Sequence, residues 1–239
     1  MSINLQIATA FIFLLLNIIL LRIILSLGGK AYNKLTRSAP PAASIPGQGT
    51  LDPADILGRE FSYAQSTASE AMRDRHTMIQ FYLVLISIVA SGVIALVHDQ
   101  VESSWTLGTL LLWLLISIGW LYFLKIVRLR QAWHESARTM NQIKEFYFLH
   151  AKDLDSAMLR SAFRWQAHTL PAPGQPWTLF FLSAMVIGLV DSVAFVIGSM
   201  LLNFANVRAY PLLVAGPLVI MGLLFLGFHV WLYFAFLRE

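Results

Sequence analysis

Five long apolar stretches, at residues 4–28, 78–97, 105–125, 177–203 and 211–236, constrain this chain more than any other feature. Each is about as long as a helix must be to cross a ~30 Å hydrocarbon layer. Fourteen of the seventeen Lys and Arg residues fall in just two of the intervening segments, residues 29–77 and 125–176. At 57% apolar and 13% charged, with mean hydropathy +0.66, the chain carries more apolar surface than one water-soluble core of 239 residues absorbs. Lipid must solvate much of it.

The expected fold is an all-α integral membrane protein with five transmembrane helices. Because Lys and Arg gather in cytoplasmic loops, both basic segments are expected on the cytoplasmic side. The gap at residues 98–104 holds Asp99 and Glu102 but no Lys or Arg, and the gap before Pro211 holds only Arg208, so both should face outward. That places the N-terminus outside and the C-terminus in the cytoplasm of a bacterial inner (cytoplasmic) membrane. No positive residue precedes the first stretch and its apolar run is longer than a secretory signal requires, so it reads as a permanent anchor. The net charge of +4 is mostly a topology signal and is not read as nucleic-acid binding. Lipid with an anionic inner leaflet is the expected partner, together with further copies of the chain or other subunits. With no Cys, disulfide and thiolate chemistry is excluded.

The segments follow in order. Residues 1–28 form the first span. Residues 29–52 are a Pro/Ala/Ser/Gly linker that cannot build a core. Asp52, Pro53 and Asp55 supply a capping side chain, a proline at the first helical position and an acid at the positive end of the dipole, so a helix should start there.

From 53 to 152 the chain reads as one long helical hairpin: cytoplasmic 53–77, second span 78–97, outer turn 98–104, third span 105–125, cytoplasmic 126–152. The stripe Ile126, Trp133, Ala137, Met140 and Tyr147 should meet Ile56, Tyr63, Ala64, Ala68, Ala71 and Met72, giving an antiparallel stalk ~40 Å long beyond the membrane. Residues 153–176 form an amphipathic segment and a Pro-rich turn. Arg160, Arg164 and His168 on its basic face are candidates for headgroup contact, or the same helix packs on the stalk. Residues 177–239 form the last two spans.

The outside N-terminus, long cytoplasmic insertion and helical hairpin of the first 150 residues or so make a layout similar to stator proteins of the ExbB, TolQ and MotA group. The likeness is architectural. No shared motif accompanies it and two further spans follow, so none of that group's residues or functions carry over.

Asp191 is the prime candidate for a functional residue, because a carboxylate near mid-span costs ~2.5–3.5 kcal/mol even on a lenient insertion scale. Counting depth along straight helices puts Asp191 ~21 Å and His229 ~10 Å from the cytoplasmic ends, so direct contact between them is not expected. Ser91, Trp113 and Asn17 fall at similar depth to Asp191 and are expected to complete a polar layer. His229 and Arg22 form a possible second polar site near the inner interface. Arg73 and Arg75 at the foot of the second span are further candidates for a headgroup or anion, and Glu60, Glu70, Asp74 and Glu135 should pair with Arg59, Arg73 and Arg138.

No HExxH, GxSxG or Gly-rich phosphate loop is present, and no catalytic, cofactor or metal residue is assigned. The leading expectation is a non-enzymatic subunit, scaffold or membrane-acting effector that docks through its stalk, with Tyr63, Ala64, Ala68, Ala71, Trp133, Ala137, Met140 and Tyr147 as docking residues. The alternatives are a proton or ion conductor using Asp191, and a membrane-embedded lipid-modifying enzyme.

Overall fold

The computed structural model describes residues 53–98, 102–150, 170 and 172–237, and all five regular elements among them are helices: α1 (Pro53–His98), α2 (Glu102–His150), α3 (Leu179–Leu202), α4 (Phe204–Ala209) and α5 (Pro211–Leu237). The expected first span, the linker, the amphipathic helix at 153–169, and with them Asn17, Arg22, Arg160, Arg164 and His168, lie outside the described residues. Four helices, α1, α2, α3 and α5, are long and apolar enough to cross a membrane. The protein is an integral membrane protein by that composition.

The proline-free sequence from 54 to 98 and from 102 to 150 lets α1 and α2 run unbroken for 46 and 49 residues. They lie side by side, with Gly92 against Leu111 near the connection. At the far end the Tyr147 hydroxyl donates to the Ala54 carbonyl at 3.0 Å and the Lys144 ammonium sits 5.7 Å from the centre of the Phe61 ring. Ala64, Ala68 and Ala71, spaced by four and three residues, form a small-residue stripe that allows close approach, and they are buried along with Ala137 and Ile143 of α2.

Helix α2 lies at the centre, with α1 on one flank and α3 on the other, and α5 closes against α3. Two consecutive α2 residues tie down the far elements. Arg130, almost fully buried, donates through Nε to the Pro173 carbonyl and through Nη2 to the Ala172 carbonyl, both at 3.0 Å. Gln131 Nε2 donates to the Phe236 carbonyl at 2.9 Å, holding the last turn of α5. The turn between these anchors includes Trp177 at φ 65°, a left-handed conformation that reverses the chain before α3. Thr178 then caps α3, its hydroxyl oxygen accepting from the Phe181 amide at 3.2 Å. At the other end Asn203 terminates α3 by donating from Nδ2 to the Ser199 carbonyl at 2.8 Å.

Several boundaries differ from the sequence expectation. Helix α2 begins at Glu102, three residues before the apolar run, α3 starts at Leu179 after the Trp177 turn, and the short α4 precedes Pro211. Helix α5 continues through Pro217. The charge pairing also differs. Arg59 pairs with Asp55 at 3.1 Å, and among the described residues Glu60, Glu70, Asp74 and Glu135 make no ion pair with Arg59, Arg73 or Arg138. Sequence neighbours such as Arg59 and Glu60 point to different sides of a helix, whereas Asp55 sits one turn from Arg59 on the same face.

A buried tyrosine, aspartate and histidine cluster

Four helices each bring one essential piece to a single point inside the bundle. Helix α3 contributes Asp191, α5 His229, α1 Tyr82 and α2 Gly119 with Trp120 and Phe123. Asp191, His229 and Tyr82 are all 0% exposed. The Tyr82 hydroxyl donates to Asp191 Oδ1 at 2.8 Å, and Asp191 Oδ2 faces His229 Nε2 at 3.5 Å. That second distance is inside ion-pair range and somewhat long for a hydrogen bond.

The meeting of Asp191 and His229 corrects the depth count, which kept them apart. Gly188, not Asp191, is level with His229, since a β-carbon on Gly188 would sit 3.0 Å from that of His229. Asp191 is three residues further along α3, ~4.5 Å, so the backbones are offset by less than one turn. Side chains lean toward the N-terminus of their own helix, and α3 and α5 are antiparallel neighbours, so the two side chains tilt toward each other across that offset. The depth count also began α3 at residue 177 and ended α5 at 236, whereas the helices run from Leu179 and to Leu237, which removes a further ~4.5 Å of the apparent offset.

Glycine makes the approach possible. A β-carbon on Gly119 would collide with the Asp191 carboxylate, and one on Gly222 would collide with Val196. The carboxylate therefore lies directly on the α2 backbone, where no other residue leaves room for it. Ala184, Gly188 and Ser192, the four-residue repeat of α3, are all buried. By contrast Ser87 and Ser91 on α1 are exposed and donate to the Leu83 and Ser87 carbonyls of their own helix.

The protonation logic follows from the partners. His229 Nδ1 faces the Phe225 carbonyl at 2.9 Å, and a carbonyl only accepts, so Nδ1 carries a proton. Nε2 and Asp191 Oδ2 face each other at 3.5 Å without a closed hydrogen bond, so a proton on either atom would join the pair and spare the dry interior an isolated charge. Aromatic rings wall the site: Trp120 stacks on His229 with centroids 4.3 Å apart, while Phe123 and Phe225 present edge-on contacts at 5.1 and 4.8 Å.

Of the residues expected around Asp191, Ser91 bonds within α1, Trp113 lies against Gly198 further along α3, and Asn17 is outside the described residues. Tyr82, Gly119 and Trp120 were not singled out from the sequence. A tyrosine inside an apolar run is a readable clue, because its hydroxyl needs a partner. The glycine's role depends on which helix face meets α3, which periodicity alone does not give.

The stalk residues divide. Ala64, Ala68, Ala71 and Ala137 are buried, Trp133 packs on Arg130 and Phe180, and Met140 is half-buried. Tyr63 at 70% and Tyr147 at 37% remain exposed. At the foot of the apolar run of α1, Arg75 lies over the Phe180 ring, 5.3 Å from its centre, while Arg73 is exposed. Among the described residues no three His, Asp or Glu side chains gather as a metal site. No family model, curated protein or solved structure matches the chain.

Proposed function

We propose that this is a non-enzymatic multi-pass membrane protein, a subunit or scaffold of a membrane assembly in a bacterial inner membrane, that docks to itself or to a partner through the ends of α1 and α2 beyond their apolar runs. On this reading those ends form a paired stalk on the cytoplasmic side, where the clustered Lys and Arg direct them. The carrying observation is the stalk tip. Ile56, Phe146 and Tyr147 are exposed there, in a stretch outside the apolar runs, although the alanines beneath are buried and the two helices are tied by the Tyr147 to Ala54 hydrogen bond. Exposed large apolar side chains on a rigid support are what an interface presents before its partner covers it. The docking surface is thus moved from the alanine stripe, which is spent on pairing α1 with α2, to Tyr63 and the tip.

The test is Ile56→Ser, Tyr63→Ser and Phe146→Ser combined, with the assembly mass read by native mass spectrometry of gently solubilised membranes. The expected result is a fall to a smaller species with helix content unchanged by circular dichroism. An unchanged assembly, or a parent protein that is monomeric and alone, overturns the proposal.

A second reading, favoured by the fully buried Asp191 carboxyl and His229 imidazole facing each other at 3.5 Å, is a proton site in a conducting subunit. Its test is proton flux in reconstituted vesicles. Flux present in the parent and lost in Asp191→Asn supports it, and absent or unchanged flux rejects it.

A further inference from the structure

Between α1 and α2, lined by residues of these two helices, a groove of about 430 Å³ straddles the edge of the apolar runs. Asp74, Met78 and Phe81 fall at i, i+4 and i+7, so they line one face of α1, and Leu121, Tyr122 and Lys125 answer from α2. Met78 opens the apolar run of α1 and Lys125 ends that of α2. The groove therefore changes character along its length: an acid and a base at one end, then Met78, Phe81 and Leu121 toward the bilayer interior. Phe81 and Leu121 are more than half exposed, as side chains facing lipid tails are.

The two charges carry the chemistry. Asp74 is half-buried and Lys125 exposed, they share the groove, and among the described residues neither makes an ion pair, with the other or with any other group. Opposite charges held in one cleft without meeting suit a ligand that bears both charges a short distance apart. We propose that this groove binds a phospholipid whose headgroup carries a primary ammonium two carbons from its phosphate, of the phosphatidylethanolamine class. The phosphate lies on Lys125, the ammonium donates to Asp74, and an acyl chain runs over Met78, Phe81 and Leu121.

The same arrangement discriminates against the other common headgroups. A glycerol headgroup brings the phosphate's negative charge without a cation for Asp74. A choline headgroup brings a cation with no N–H to donate. The site also touches the buried cluster indirectly, since the Tyr122 ring packs against Tyr82 with centroids 5.4 Å apart, and Tyr82 holds Asp191. The inference is independent of the docking role. It needs only that the apolar runs of α1 and α2 lie in a bilayer.

The test is native mass spectrometry of the full chain released from nanodiscs holding equal mole fractions of phosphatidylethanolamine, phosphatidylcholine and phosphatidylglycerol. The expected result is ethanolamine lipid retained roughly fivefold over each of the other two, the order of one charge-assisted hydrogen bond at a wet interface. Asp74→Asn should reduce that preference to below twofold, Asp74→Glu should restore it, and Lys125→Gln should lower retention of all three lipids. Equal retention by the parent, or a preference that survives Asp74→Asn, overturns the proposal. The parent competition involves no substitution, so a variant that fails to fold leaves the proposal open to rejection.

Discussion

A single methyl group on Gly119 would occupy the space of the Asp191 carboxylate, so this glycine decides whether the cluster forms at all. Gly119→Ala should destabilise the protein by about 1–3 kcal/mol, the usual cost of overpacking, in reversible unfolding from mixed micelles. Gly92→Ala is the matched control, since its nearest neighbour is Leu111 Cδ1 at 3.8 Å, and it should be neutral or slightly stabilising through helix propensity. Equal costs for the two would remove the special role of Gly119. Tyr82→Phe deletes the hydroxyl that donates to Asp191 and should cost about 1 kcal/mol. Combined with Asp191→Asn it should cost less than the sum of the two single changes, with a coupling of about 0.5–2 kcal/mol in a double-mutant cycle. Additive costs would contradict the hydrogen bond. At this scale the sequence announced Asp191 through the expense of a mid-span carboxylate. It concealed the partners, because they come from three other helices and depend on how far one helix is shifted along another. Side-chain lean toward each N-terminus closes a gap that counting residues leaves open.

Helix α2 is the element on which the others are hung. Its Arg130 holds the Ala172 and Pro173 carbonyls, its Gln131 holds the Phe236 carbonyl, and its Gly119 accommodates Asp191. From sequence, Arg130 is one of eight basic residues in a segment and reads as topology signal alone. Its burial and its two carbonyl partners show a second task, the fixing of the turn that leads into α3. Arg130→Gln should release that turn at a cost of about 1.5–3 kcal/mol, the range for hydrogen bonds to a charged group. The readout is hydrogen exchange at the amides from Gly174 to Phe181, expected to speed up at least tenfold, while the amides of α1 near Ile86 keep their protection. Unchanged exchange at the turn would contradict the anchoring role. The helices themselves were legible because length, apolarity and the absence of proline all agree over α1 and α2. The short α4 and the left-handed Trp177 were not, since a six-residue helix and a single turn leave no periodic trace.

Across the whole molecule, composition revealed an integral membrane protein with long apolar helices, and no element among the described residues departs from the all-helical class. Mutual helix arrangement was much less legible. Inside a bilayer apolar surface does not by itself select which helices touch, so small residues and a few polar contacts do so. Here those are Gly119 of α2, the Ala184, Gly188 and Ser192 repeat of α3, Gly222 of α5, and the Tyr82, Asp191 and His229 cluster. The docking proposal adds one requirement at this scale: the charged ends of α1 and α2 must share one side of the membrane. The chain has no native cysteine, so single-cysteine variants report position without background. Arg59→Cys and Lys144→Cys, probed in sealed inside-out and right-side-out vesicles with a membrane-impermeant maleimide, test that requirement most directly. Both sites should react in inside-out vesicles and be protected in right-side-out ones. Reaction of the two from opposite sides would contradict the paired stalk and the docking role built on it.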